Sequence, residues 1–431
     1  MKQRAAQRRP RPRRAALSVA TLLCALSVAA FAAGCAGAVT GGPSPSSPSP
    51  SPTPSAAILI KPGLGAVGVA PGRSITVRVH NGHIVRVVAT TGGAPVGGTL
   101  NAAGTIWRSR TTLHVAARCA VWVKAVDAAG RTVTKHVWFH TLVPTQTFSA
   151  EVFESAGGTY GVGMPIILNF DRPITDRQAV EHALSLRTSR RVVGAWYWDG
   201  DSTLSFRPRD YWPAGTLVHL VARLNGVAAA PGVYGAHDLT QSFRIGEALI
   251  VVADTATHRC RVYRGHRLFA DWPMSSGRPG DDTPNGTYLT IDKGNPVEMK
   301  GPGYDLLVPW SVRFTWSGDY LHDAYWSVGE QGFSNVSHGC INLSPQAAQT
   351  YYELEVPGDP VTVKGSPRGG VWDNGWTVWF LSFKQLLAGS ALHRAVVAGR
   401  HGSSFVRPGS LKASHARAPL HRPWAGNATA S

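Results

Sequence analysis

Between residues 58 and 143 apolar side chains recur at every second position in short runs. SITVRVH sets Ile75, Val77 and Val79 on one side, and RCAVWVKAV does the same with Cys119, Val121 and Val123, as a half-buried strand requires. IVRVVATTGG, TLHVAA and KHVWFHTL repeat the theme, with turn signals about every ten residues, the spacing of a β-sandwich. From 144 to 246 the pattern continues with longer loops in FSAEVFE, GMPIILNFDRPI, STLSFRPR, LVHLVARL and QSFRIG, and TDRQAVEHALSL predicts one short helix. The expected architecture is mainly β: two tandem immunoglobulin-like sandwiches, neither of which gathers catalytic residue types.

A third region spans 247–365. ALIVVADTATHRCRVYRGHRLFADWPMSSG predicts two strands around a polar turn, with Cys260 and Val262 sharing a face, and TPNGTYLTI carries an Asn-Gly hairpin signal. SPQAAQTYYELEV predicts a helix capped by Ser344 with Pro345 in its first turn. VTVKG closes the region as a strand. The aromatic segment 371–394 has helical apolar spacing in its second half and is expected to pack back onto the third region.

The ends change the picture of where the chain works. Seven of the first fourteen residues are Lys or Arg, and an apolar run follows that ends in small residues before Cys35. That is the layout of a secretory signal over residues 1–34, and its end resembles a lipoprotein lipobox with lipid on the Cys35 thiol; ordinary cleavage and an uncleaved anchor are the alternatives. The Ser-Pro repeats that follow, to residue 57, favour an extended spacer. The formal net charge is +18, and Arg394, Arg400, Arg407, Lys412, Arg417 and Arg422 lie in a final stretch with no acid. From 395 onward this reads as a disordered basic tail that suits anionic wall polymers rather than nucleic acid, with a plain solvated tail as the alternative. All of this places the working part outside the cytoplasm, at the outer face of the membrane.

Five cysteines are present, and two lie at the signal. Cys119 and Cys260 read as small core residues in different domains, which leaves Cys340 in NVSHGCINLS without an evident partner. Cys340 follows Ser337, His338 and Gly339; His322 stands eighteen residues before it and Asn342 two after it. A cysteine attacks an acyl carbon as thiolate, and a facing imidazole can take its proton and lower its pKa. His322 is the better base, because the adjacent His338 points elsewhere on an extended or turning backbone. Gly339 frees the backbone so that amide groups can converge on an oxyanion. A zinc site of His322, His338 and Cys340 lacks a fourth ligand, and a papain-like protease places its cysteine first.

HDAYWSVGEQGFSNVSHGCINLSPQAAQ resembles the active-site segment of the L,D-transpeptidases, the YkuD-type catalytic domain. TPNGTY extends the resemblance, as does the order of lipobox, two immunoglobulin-like domains, catalytic domain and aromatic C-terminal subdomain of high-GC Gram-positive members. The resemblance implies Cys340 as nucleophile and His322 as general base. It implies that His338 and Gly339 flank the nucleophile, with amides there and at Cys340 forming the oxyanion hole. Tyr304 matches a tyrosine on a lid over the substrate, and Trp326, Ser337 and Asn342 match residues shaping the pocket and loop. Asp323 departs from the family, whose members often carry Ser after the base histidine. The implied reaction needs no cofactor or metal: Cys340 acylates on a peptidoglycan tetrapeptide stem, a second stem resolves the thioester into a 3→3 cross-link, and carbapenems acylate the same thiol. Resolution by water, resolution by a protein amine, and a silent wall-binding module are the other expectations.

Overall fold

The computed structural model describes residues 54–301 and 304–410. Cys35, the signal and the last 21 residues lie outside the described residues. The first domain is two facing four-stranded sheets. One runs Ala57–Lys61, Thr76–His80, Ile106–Ser109, Gly98–Leu100; the other Ala94–Pro95, Gly82–Thr91, Arg118–Asp127, Thr132–His140. Its core follows the alternation: Cys119, Val121, Val123 and Ala125 are fully buried and meet Ile75 and Val77 of the opposite sheet. Burying each such aliphatic side chain is worth about 1.5–3 kcal/mol.

The second domain is not a self-contained sandwich. Its ten-stranded sheet includes Ala395–Gly399 from the end of the chain, inserted between Leu184–Thr188 and Val192–Asp199 and paired on to Gly402–Val406. The tail expected from 395 onward is therefore strand as far as 406, because Val396 and Ala398 bury beside Trp196 and Leu186 while Arg394 and Arg400 stand beyond the two strand ends. The buried Glu181 carboxylate fixes the approach to this hairpin: it accepts from Trp198 Nε1 at 2.9 Å, Ser390 Oγ at 2.7 Å and the Ala391 amide at 2.6 Å. The short helix appears at Arg177–His182, its N-terminus capped by Asp176.

In the third domain Leu249–Asp254, Arg259–Arg264 and Arg267–Pro273 form a three-strand meander, one strand more than the pattern predicts. Pro360–Lys364 and Gly286–Leu289 complete that sheet. Asn285-Gly286 does not turn a hairpin; the Asn285 side chain donates to the Ser366 carbonyl at 2.6 Å and Gly286 opens a strand. A second sheet orders Lys293–Gly294, Ser311–Arg313, Tyr320–Asp323 and Ile341–Leu343. The two sheets and the Ser344-capped helix Pro345–Leu354 enclose Tyr288, Phe314, Leu321, Ile341 and Tyr351. Cys260 is buried in this core and Cys119 in the first domain's, and both are free thiols.

The aromatic segment packs on both neighbours. Phe380 meets Tyr288 of the third domain, whereas Trp379 donates to the Gly163 carbonyl at 2.7 Å and lies beneath the Arg207 guanidinium of the second. No helix among the described residues is long and apolar enough to cross a membrane.

Candidate active site

His322 and Cys340 are brought together by the only parallel pairing in the second sheet of the third domain. Tyr320–Asp323 runs beside Ile341–Leu343 with His322 opposite Asn342. Cys340 sits one residue before that strand, level with Tyr320, whose amide hydrogen-bonds to the sulfur. In-register residues on neighbouring strands face the same way, so Cys340, two positions from Asn342, shares a face with His322. The thiol also lies 3.7 Å from the Gly318 carbonyl.

The imidazole is held in one orientation. His322 is buried, and its Nδ1 lies 2.8 Å from the Asp323 carbonyl oxygen. With Nδ1–H donating to that carbonyl, Nε2 is the ring's free acceptor. Trp326 covers the ring, stacked at 5.9 Å between centroids, and itself remains partly exposed. Asp323 thus serves through its backbone, the role that survives its replacement of Ser. Its own carboxyl is pushed up by burial, and Oδ1 has no hydrogen-bond partner.

Burial sets the resting charge of the pair. It pulls His322 down to about 4, and with the nearby Asp319 carboxylate it pushes the Cys340 thiol up to about 12. Cys340 is only partly buried, so water reaching the sulfur moderates its value, but both shifts favour neutral partners. Desolvation thus works against the lowering that a facing imidazole gives a thiol, and it favours thiol and imidazole as the resting pair.

The loop that carries Cys340 is held from several directions. Ser337 Oγ donates to the Cys340 carbonyl at 2.6 Å and accepts the Gly339 amide at 3.1 Å. Gly339's amide is thus turned onto a side chain, which takes it out of the amides expected to receive an oxyanion. Gly339 has φ 127°, and a Cβ there would overlap Asp319 Oδ1; only glycine fits. Thr283 Oγ1 donates to the Gly339 carbonyl at 2.6 Å, and Asn342 Nδ2 donates to Ser327 Oγ at 3.0 Å. His338 is exposed, its ring tilted against Tyr304 at 4.9 Å. Tyr304 opens the second strand of the hairpin Val297–Gly301 and Tyr304–Val308 beside the thiol, and burial raises the tyrosine's pKa.

Thr283, Ser327 and Asp319 are the site residues that sequence reasoning did not single out. Thr283 lies in the quoted TPNGTY segment, so a signal existed; Asp319, in a turn four residues from Thr315, carried none. Its Oδ2 accepts from Thr315 Oγ1 at 2.8 Å, and burial raises its pKa. Among the described residues no three His, Cys, Asp or Glu side chains converge as metal ligands would.

Residues 66–228 match a bacterial Ig domain family, across the boundary expected near 143, and residues 248–363 match the L,D-transpeptidase catalytic domain, YkuD. The chain is 35% identical over 341 residues to L,D-transpeptidase 5 of Mycobacterium tuberculosis, covering 75% of this chain and 76% of that protein. It is 32% identical over 335 residues to L,D-transpeptidase 2 of the same species, covering 73% and 82%. The solved structure of LdtMt1 in complex with imipenem aligns with 36% identity and a TM-score of 0.43 over 50% of this chain and 97% of that one. The His322–Cys340 pair lies in the segment that matches the catalytic domain, and on the identity and extent of the match to the two mycobacterial relatives the chain belongs to the L,D-transpeptidase family.

Proposed function

We propose that this protein forms 3→3 cross-links in peptidoglycan through a thioester on Cys340. The observation that carries the reading is the pinned imidazole: Nδ1 of His322 on the Asp323 carbonyl leaves Nε2 as proton acceptor on the face where the free thiol stands. Cys340 Sγ attacks the carbonyl carbon of the L-centre of the third residue in a donor tetrapeptide, and its proton passes to His322 Nε2. The developing oxyanion accepts from the Cys340 amide, with the Tyr304 hydroxyl as second donor. Collapse breaks the amide C–N bond, His322 returns the proton to the departing D-alanine amine, and the acyl group stays on sulfur. The side-chain amine of a second stem then attacks the thioester, His322 takes its proton, and the sulfur leaves to be reprotonated. Trp326 keeps water from the imidazole, which favours the amine over hydrolysis. A strained lactam carbonyl enters the same first step, which makes carbapenems acylating inhibitors. We place the reaction at the outer face of the cytoplasmic membrane, with Cys35 as lipid anchor.

Incubation with a disaccharide-tetrapeptide tests this by intact mass. A thioester adduct lacking one alanine, followed by cross-linked dimer, is expected for the wild type and neither for Cys340→Ala. Residual turnover by Cys340→Ala above about a thousandth of wild type refutes the nucleophile, and tripeptide without dimer replaces cross-linking with carboxypeptidase activity.

A further inference from the structure

Away from the catalytic domain, the second domain carries a cleft of about 600 Å³ that no step above uses. Strand register builds its floor. Arg187 lies opposite His219, His219 opposite Ser242, and Leu217 opposite Arg244. Residues opposed across antiparallel strands share a face, and Leu217 and His219 are two apart on one strand, so all five side chains point out on the same side. The C-terminal hairpin supplies the rest: Gly399 pairs with Arg187, and Arg400 in the turn donates from Nε to the Ser189 carbonyl at 3.2 Å. Segments more than 200 residues apart thus bring three guanidiniums and an imidazole around one opening. No carboxylate lines it.

Some arginines elsewhere meet a carboxylate, as Arg131 does Asp127, Arg259 does Asp271 and Arg264 does Glu247. Among the described residues Arg187, Arg244 and Arg400 form no ion pair. Like charges gathered around one opening repel one another, and nothing in the packing here needs them, since all three side chains are exposed. A bound anion offsets that repulsion, and the forked guanidinium donors match phosphate oxygens two at a time. The hydroxyls of Ser189 and Ser242 add neutral donors at the rim.

We infer that the Arg187–His219–Arg244–Arg400 cleft is a second, non-catalytic site that binds phosphate groups of an anionic polymer. Such a site holds the chain along a polyanion while leaving the Cys340 face free. It also gives the C-terminal hairpin a binding function, because Arg400 arrives only when that hairpin joins the sheet.

Titration calorimetry of the full chain with inorganic tripolyphosphate tests this, with poly-glutamate as a carboxylate control. The combined variant Arg187→Gln, Arg244→Gln, Arg400→Gln is expected to weaken tripolyphosphate binding by about tenfold or more, as for loss of two or three charge-assisted contacts. A second variant, Lys412→Gln, Arg417→Gln, Arg422→Gln, removes tail cations and is expected to keep the affinity. Both should acylate Cys340 at the wild-type rate, which also reports folding. Each single substitution at these exposed positions is the fallback should the combined variant not fold, with a smaller loss expected for each. Unchanged affinity in the cleft variants, loss in the tail variant alone, or equal affinity for poly-glutamate overturns the assignment.

Discussion

The protonation state of His322 gives the sharpest test of the mechanism. An imidazole at its ordinary pKa of about 6.5 would be only about 3% neutral at pH 5. With burial holding His322 near 4, about 90% remains neutral at pH 5. The two cases differ roughly thirtyfold in available base at one pH. The assay is the first-order rate of carbapenem adduct formation, by intact mass, from pH 4 to 9. The wild type should keep most of its plateau rate at pH 5 and fall with a midpoint near 4. His322→Ala should be slower by about 10²–10⁴-fold, the usual cost of losing a general base. Its residual rate should climb with pH, since a thiol raised toward 12 must then ionise into bulk solvent. His338→Ala should lower the rate through the Tyr304 contact and leave the midpoint in place. A wild-type midpoint between pH 6 and 7 would refute the neutral pair, and a shifted profile in His338→Ala but not His322→Ala would exchange the roles of the two histidines.

Three further outcomes are expected. Asp319→Asn removes the carboxylate that raises the Cys340 thiol, so alkylation of Cys340 by iodoacetamide at pH 8 should accelerate several-fold; an unchanged rate would show that Asp319 carries no charge there. Gly339→Ala puts a Cβ onto Asp319 Oδ1 at a φ of 127°, so acylation should fall at least a hundredfold, well beyond the ~1 kcal/mol of an ordinary Gly-to-Ala change, and a near-normal rate would mean the loop is not held as described. Glu154 is fully buried and raised from 4.5 to about 8. The folded state then holds a proton that the unfolded chain releases, and its contribution is lost as pH rises toward 8. Glu154→Gln should flatten the fall in urea stability between pH 5 and 8 by at most roughly 3.5 kcal/mol, and an identical slope in both proteins would contradict that shift.

Local chemistry was legible along the chain wherever a short-range rule decides the outcome. The alternation around Cys119 predicts a buried face because strand side chains alternate whatever the sheet around them. Ser344 followed by Pro345 predicts a helix start because the cap acts within one turn. The Ser-His-Gly-Cys motif singled out Cys340 and Gly339 for the same reason. Tertiary structure decided what depends on residues far apart. The run AVVAG at 395–399 reads as tail by composition, yet it finds a vacant place between two strands of the second domain. Asn285-Gly286 has the residues of a tight turn, but the Asn285 side chain is bonded instead to the backbone at 366 and 368. The resting charge of the catalytic pair was beyond any motif, because desolvation of His322 and the approach of Asp319 to Cys340 exist only once both sheets have closed around them.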